Sequence, residues 1–379
     1  MQLTYPHMGE AYIAVKSLLD DVGVKSIIPA FTTSSTLKLG SSISPETICL
    51  PYKIMLGNYI NSIKAGADSI LITGSCGPCR FGYYGPLQRQ ALRDAGYKDI
   101  DIIILDPPRE GYKKFYEALK KVAGGQHSKI LPAFMNAYKV CCEVDSLNEL
   151  VYFIRPRAVN KAKIRTIVNE FKKNVINTKG SVQMLELINE TKNLIRKIDI
   201  DNSLNPIRIG IIGEIYTVIE PFTNLNAEER LGELGAEVHR SLTVRDWVRN
   251  TVILPATGRK GFKLEKKLSR PYLPTLIGGH SQECIGHAVH YANLGYDGLV
   301  QIYPMTCMPE IVSRSILPQV EKDYGIPILY LIVDEHTGEA GYQTRLEAFV
   351  DYIENNKPAS CPQARNGRKH ATFNTGLPH

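Results

Sequence analysis

Short apolar runs alternating with helical spacing constrain this chain more than any other feature. Ser69-Ile70-Leu71-Ile72-Thr73 is bounded by turn residues and reads as a buried strand. Asp101–Asp106 reads as another, stopped by Pro107-Pro108, and Val24–Pro29 as a shorter one. Helical spacing fills the intervals: 53–65, with Ile54, Leu56, Ile60 and Ile63 apolar, and 86–96, ended by Gly96. Such alternation predicts a parallel sheet covered by helices on both faces.

The pattern lapses over 111–200, which is Lys-rich and reads as mostly helical, and resumes at 207. Ile207–Gly213, Leu276–Gly279, Gly298–Tyr303 and Ile328–Val333 read as strands, with helices near 281–294, 309–321 and 341–354. The chain is therefore expected to be α/β. An N-terminal α/β unit (1–125) and a C-terminal one (206–355) are joined by a basic, mainly helical bridge (126–205). The tail, 356–379, is rich in Pro, Asn, Gly and Arg and is expected to be disordered, with Cys361 incidental. A cleft between the units is the default place for a site.

At 379 residues, one large domain or two ordinary ones are expected. No apolar run is long enough for a membrane span, and the N-terminus does not look like a secretory signal. The expected location is cytoplasmic. Residues 151–200 hold eleven Lys or Arg against four Asp or Glu, much of the net charge of +7. This block could attract polyanions, but a solvated helical face is the commoner outcome. No zinc-finger spacing or RNA-binding motif occurs, so nucleic acid is not expected as a partner.

Eight cysteines without a signal peptide point to a reducing compartment and to metal or redox use. Gly74-Ser75-Cys76-Gly77-Pro78-Cys79-Arg80 puts two thiols at the carboxyl end of a strand, where open α/β sheets hold ligands. Cys49-Leu50-Pro51 and Cys307-Met308-Pro309 share a second pattern: Cys, an apolar residue, then Pro at a helix start. Each thiol there sits at a helix N-terminus, where the dipole and free N–H groups favour thiolate. Four cysteines thus share one local context. They suit an iron–sulfur cluster held between units better than a zinc knuckle, which uses closely paired spacings. A redox dithiol stays open, because Cys-Gly-Pro-Cys is also the thioredoxin tetrapeptide. Against it stand Ser75 in place of Trp, the length of the chain, and two further cysteines left without a role. Unrelated buried cysteines are the fourth reading.

Cys284 is a possible extra ligand, although a cysteine on a helix is more often a small apolar residue. Core packing is the first expectation for Cys141 and Cys142. Arg80 could bond cluster sulfide or an anionic substrate, or form a surface salt bridge. His280 and Glu283 are candidate proton donors, as are Glu335 and His336, which follow a strand. Asp334 and Glu339 share that turn. Glu214 and Glu220 follow another strand end, where capping is the alternative.

The run Ser44-Pro45-Glu46, Cys49-Leu50-Pro51-Tyr52-Lys53 and Gly74–Gly82 resembles the 2-hydroxyacyl-CoA dehydratase D-component superfamily. Within it, the chain is most similar to the CoA-substrate-specific enzyme activase-related, or acyl-CoA dehydratase activase-related, branch. The resemblance continues through Gly213–Thr217, Glu220-Pro221-Phe222, Asn224-Leu225-Asn226, Gly278-Gly279-His280, Thr306–Glu310 and Asp334–Gly341. It covers nearly everything from Thr4 to about Ile353.

The resemblance implies Rossmann- or flavodoxin-like units around an oxygen-sensitive [4Fe-4S] cluster. It also implies a separate ATP-hydrolysing iron–sulfur activator that delivers one electron, and an acyl-CoA or small molecule that is reduced or reductively dehydrated. A homodimer or a paralogous subunit would fit this picture. Dehydratase subunits typically hold their catalytic cluster through three cysteines. Here Cys49, Cys76, Cys79 and Cys307 match the branch pattern, and four thiolates would saturate a single cubane. Cys284 with Cys141 or Cys142 would make six, enough for a double-cubane [8Fe-9S] cluster. The resemblance leaves room for a true dehydratase subunit and for a non-catalytic electron carrier or activase partner. No Walker loop occurs, so a partner would supply ATP hydrolysis.

Overall fold

A computed structural model describes residues 1–74 and 79–356, with the backbone only for 107–110. Its class is the α/β class expected. Among the described residues the strands form two all-parallel sheets. β1 (Leu3–Thr4), β2 (Ser69–Thr73) and β3 (Asp101–Leu105) lie in the order β1-β2-β3. β4 (Arg208–Gly213), β5 (Glu237–Arg240), β6 (Gly298–Pro304) and β7 (Ile328–Val333) lie in the order β5-β4-β6-β7.

The two sheets repeat one wiring. Val24–Pro29 is not a full strand; it touches β1 through a single bridge, Leu3 to Ser26. Leu3 donates to the Lys25 carbonyl at 3.1 Å, and Ile27 donates back to Leu3 at 2.8 Å. Counting that bridge, both sheets read second, first, third, fourth in chain order, the flavodoxin-like order. The switch point of such a sheet lies between its first and third strands, here β1/β2 and β4/β6.

Strand alternation divides the core. Ile70, Ile72 and Ile102 face a cluster shared with the C-terminal unit, including Ile209, Ile211, Val300 and Ile302. Leu71, Ile103 and Leu105 face the other way. There they meet the helices Ala11–Val22, Ile130–Ile154, Lys161–Asn177 and Gly180–Arg196. The helical bridge therefore covers the outer face of the first sheet. Polar contacts fix it: Gly180 and Ser181 donate to Asp20 at 3.1 Å and Asp21 at 2.9 Å. The two units abut so closely that a Cβ on Gly9 would lie 2.1 Å from the Ile219 carbonyl oxygen.

One further strand expectation needs correction, and one strand was not foreseen. Leu276–Gly279 is not a strand but an irregular turn, with Leu276 exposed and Gly278 and Gly279 at φ +92 and +58. The edge position is taken by β5, whose charged residues conceal it: Glu237 and Arg240 are held by Arg157 at 2.6 Å and Glu228 at 3.5 Å. The tail from 357 lies outside the described residues. No described helix is long and apolar enough to cross a membrane.

Candidate functional site

Four chain turns converge at the carboxyl ends of the switch-point strands. Cys49 is the N-cap of the helix Leu50–Lys64 and Cys307 that of Met308–Tyr324, each followed two residues later by Pro. Cys79 caps the short 3-10 helix Arg80–Tyr83 after β2. Glu214, directly after β4, caps the helix Ile215–Ile219 by accepting from Tyr216 N at 3.1 Å and Thr217 N at 2.9 Å. The repeated wiring makes Cys79 and Cys307 equivalent, one after each third strand. It also pairs Cys49 with His280, the N-cap of the helix Ser281–Asn293 before β6. Cys76 lies outside the described residues.

Arg80 draws the turns together. Its guanidinium donates to the Thr47 carbonyl at 3.0 Å and to the Thr306 carbonyl. One exposed side chain thus ties the loop before Cys49 to the loop before Cys307. Tyr84, buried against Tyr52 and Phe81, holds the Cys49 thiol through its hydroxyl at 2.5 Å. Gly279 packs between the Cys307 turn of its own unit and Cys79 of the other. A Cβ on it would stand 2.7 Å from Pro309 Cγ and 4.0 Å from Cys79 Cβ.

Cys79, Cys307, Glu214 and His280 line one end of a cavity of about 230 Å³. The rest of its wall is apolar, with Ala14, Leu18, Phe115, Phe134, Val248 and Val252 among its residues. Cys141 also lines it, from the bridge. Burial pushes the Cys79 thiol up to about 11, helped by Glu214 and Cys49. Burial likewise raises Cys49 and Cys307. Glu214 is raised by burial, and His280 is lowered by burial against the opposing pull of Glu283.

The other expected residues stand apart. Cys284 is fully buried behind Cys307 and outside the cavity wall, with Gln301 Nε2 at 3.8 Å. Gln301 also donates to Glu310 at 2.9 Å, and Glu310 is pushed up to about 7 by burial. Glu335 pairs with buried Lys53 at 2.5 Å, and that lysine also donates to the Glu46 carbonyl at 3.0 Å. Glu335 therefore anchors the loop ahead of Cys49, and His336 is exposed beside it. Glu283 is buried, faces Lys266 at 3.6 Å and lines a neighbouring cleft. Glu220 accepts from Gly9 N at 2.8 Å and meets His7 Nδ1 at 2.8 Å across the units.

Tyr84, Lys53, Glu310 and Trp247 belong to the site or its support, yet sequence reasoning passed them over. Glu310 had a local signal, three residues after Cys307 at a helix start. The others are placed by long-range contacts that no spacing encodes.

A scan against protein-family models and a search of the curated proteins each found no match to this chain.

Proposed function

We propose that the chain is an iron–sulfur protein that accepts low-potential electrons from an ATP-hydrolysing activator. The electrons serve reduction, or reductive dehydration, of an acyl-CoA or other small molecule. The observation that carries this reading is the convergence of Cys49, Cys79 and Cys307 at helix N-termini beside an apolar cavity. The donor set fits a cluster. Among the described residues, which do not include Cys76, no three His, Cys, Asp or Glu side chains form a group that could hold a metal ion. A cubane binds each thiolate through a separate iron, so its ligands stand apart. Soft thiolates on backbone N–H groups suit iron–sulfur chemistry.

Cys49, Cys76, Cys79 and Cys307 would hold a [4Fe-4S] cluster, which when bound supplies one-electron exchange at low potential. The remaining work falls to the chain. Arg80 and Tyr84 orient the thiols, and the apolar wall excludes water. His280, kept neutral by burial and lining the cavity, would pass a proton at a ring nitrogen. A redox dithiol of Cys76 and Cys79 is disfavoured, because it would leave Cys49 and Cys307, held at neighbouring helix starts, without a role. A cavity beside the thiols favours substrate handling over pure electron carriage.

The test is EPR of anaerobic protein reduced through an activator, with and without an acyl-CoA or 2-hydroxyacyl-CoA. A spectrum altered by substrate supports the reading. A reduced spectrum indifferent to every substrate reassigns the chain to electron carriage. Absence of any iron–sulfur signal refutes it.

A further inference from the structure

The most basic stretch of sequence is 151–200, but five of its eleven cations form ion pairs. Arg155 and Arg165 meet Glu229 at 3.2 and 2.7 Å, Arg157 meets Glu237, and Lys192 meets Glu143 at 2.6 Å. Cations gathered into one concavity lie elsewhere. Arg259, Lys260, Lys263, Lys266, Lys267 and Arg270 all line one cleft of about 950 Å³, in which Glu283 is the one acidic side chain among the lining residues. Lys266 faces Glu283 at 3.6 Å. The other five form no ion pair with any carboxylate among the described residues. Like charges gathered in a concavity repel one another, and an anionic ligand relieves that cost.

The cleft is built rather than a loose run of lysines. Its loop is pinned where Phe262 N donates to Asn250 Oδ1 at 2.9 Å, with Phe262 held at φ +50. Gly261 packs on the same turn, where a Cβ would lie 2.1 Å from the Asn250 carbonyl oxygen. Asn250 itself sits in a π-helical turn, Arg249–Ile253, a feature frequent at functional sites. Trp247, Phe262 and Tyr112 are aromatic residues lining the cleft. Trp247, Gly279 and His280 line both this cleft and the apolar cavity with its thiols.

We propose that this cleft binds a nucleoside diphosphate. The volume lies within the roughly 300–1,000 Å³ of small-molecule sites. Several unpaired cations match a pyrophosphate, and the aromatic rings match a base. The inference does not rest on the cluster reading, because none of these residues is a thiol.

The experiment uses the only tryptophan of the chain, Trp247. Its fluorescence is titrated with ADP, inorganic pyrophosphate and adenosine, in full-length protein with and without iron. Calorimetry runs in parallel and decides if the fluorescence is silent. ADP and pyrophosphate are expected to bind saturably, more weakly as salt rises, and adenosine far more weakly. Tighter binding of ADP than of pyrophosphate is the nucleotide's signature; equal binding refutes the nucleoside part. Lys263→Ala with Lys267→Ala, both exposed positions, should weaken ADP at least ~10-fold with an unchanged melting curve. Adenosine binding as tightly as ADP, a double variant binding like the wild type, or no binding by either method overturns the proposal.

Discussion

Arg80→Met removes a side chain that bridges the Cys49 and Cys307 loops while keeping most of its stem. Two hydrogen bonds disappear, to the Thr47 and Thr306 carbonyls. Bonds from a charged donor are worth roughly 1.5–3 kcal/mol each, and the exposure of Arg80 pulls both toward the bottom of that range or below it. The expected loss is therefore about 2 kcal/mol. Urea denaturation of metal-free protein should show it as a lower midpoint at unchanged slope. The second consequence is local. Loops freed from each other let the Cys49 and Cys307 turns drift, so anaerobic protein should lose iron to a chelator faster than the wild type. Arg80→Lys should rescue only part of either effect, because an ammonium lacks the planar fork that spans two carbonyls. A variant as stable as the wild type that holds iron equally well would refute the reasoning. The turns would then be positioned by the shared core alone.

Other expectations follow from the same geometry. Gly213→Ala should cost more than ~3 kcal/mol in chemical denaturation, since φ is +134 and the new Cβ would lie 2.0 Å from the Ile302 carbonyl oxygen. His287, buried with His280 and His290 nearby, is lowered to about 3. The unfolded chain therefore takes up a proton below about 6.5 that the folded chain refuses. Stability attributable to His287 is complete above that pH and is lost as pH falls, by about 2 kcal/mol at pH 5. His287→Phe should abolish that component of the pH profile. Glu214→Gln keeps an oxygen for only one of the Tyr216 and Thr217 N–H groups, which bond separate carboxylate oxygens, and removes a buried ionisable carboxyl beside three thiols. Redox titration should then give a more positive midpoint potential for the bound cluster, and an unmoved potential would place Glu214 outside its field.

The strands with hydrophobic runs were legible because parallel strands are buried on both faces and cannot hide among polar residues. β2, β3, β4, β6 and β7 all have that character. β1 is two residues long, and β5 carries Glu237 and Arg240 because both find partners at the sheet edge. Leu276-Ile277 looked like a strand because it is apolar and precedes glycines, but it has no neighbour to pair with. At the site, Cys-x-Pro placed Cys49 and Cys307 at helix starts because proline tolerates the first turn and little else in a helix. The reach of Arg80 to two distant carbonyls, the lysine behind Glu335 and the burial of Cys284 depend on tertiary approach, which local spacing does not record.

The central claim is that these cysteines hold a cluster. Iron and acid-labile sulfide should be measured, with EPR of the dithionite-reduced state, on anaerobically purified wild type and Cys307→Ser. About four irons and four sulfides per chain, falling sharply in the variant, is the predicted result. About one zinc without sulfide, or an iron content indifferent to Cys307, would contradict it.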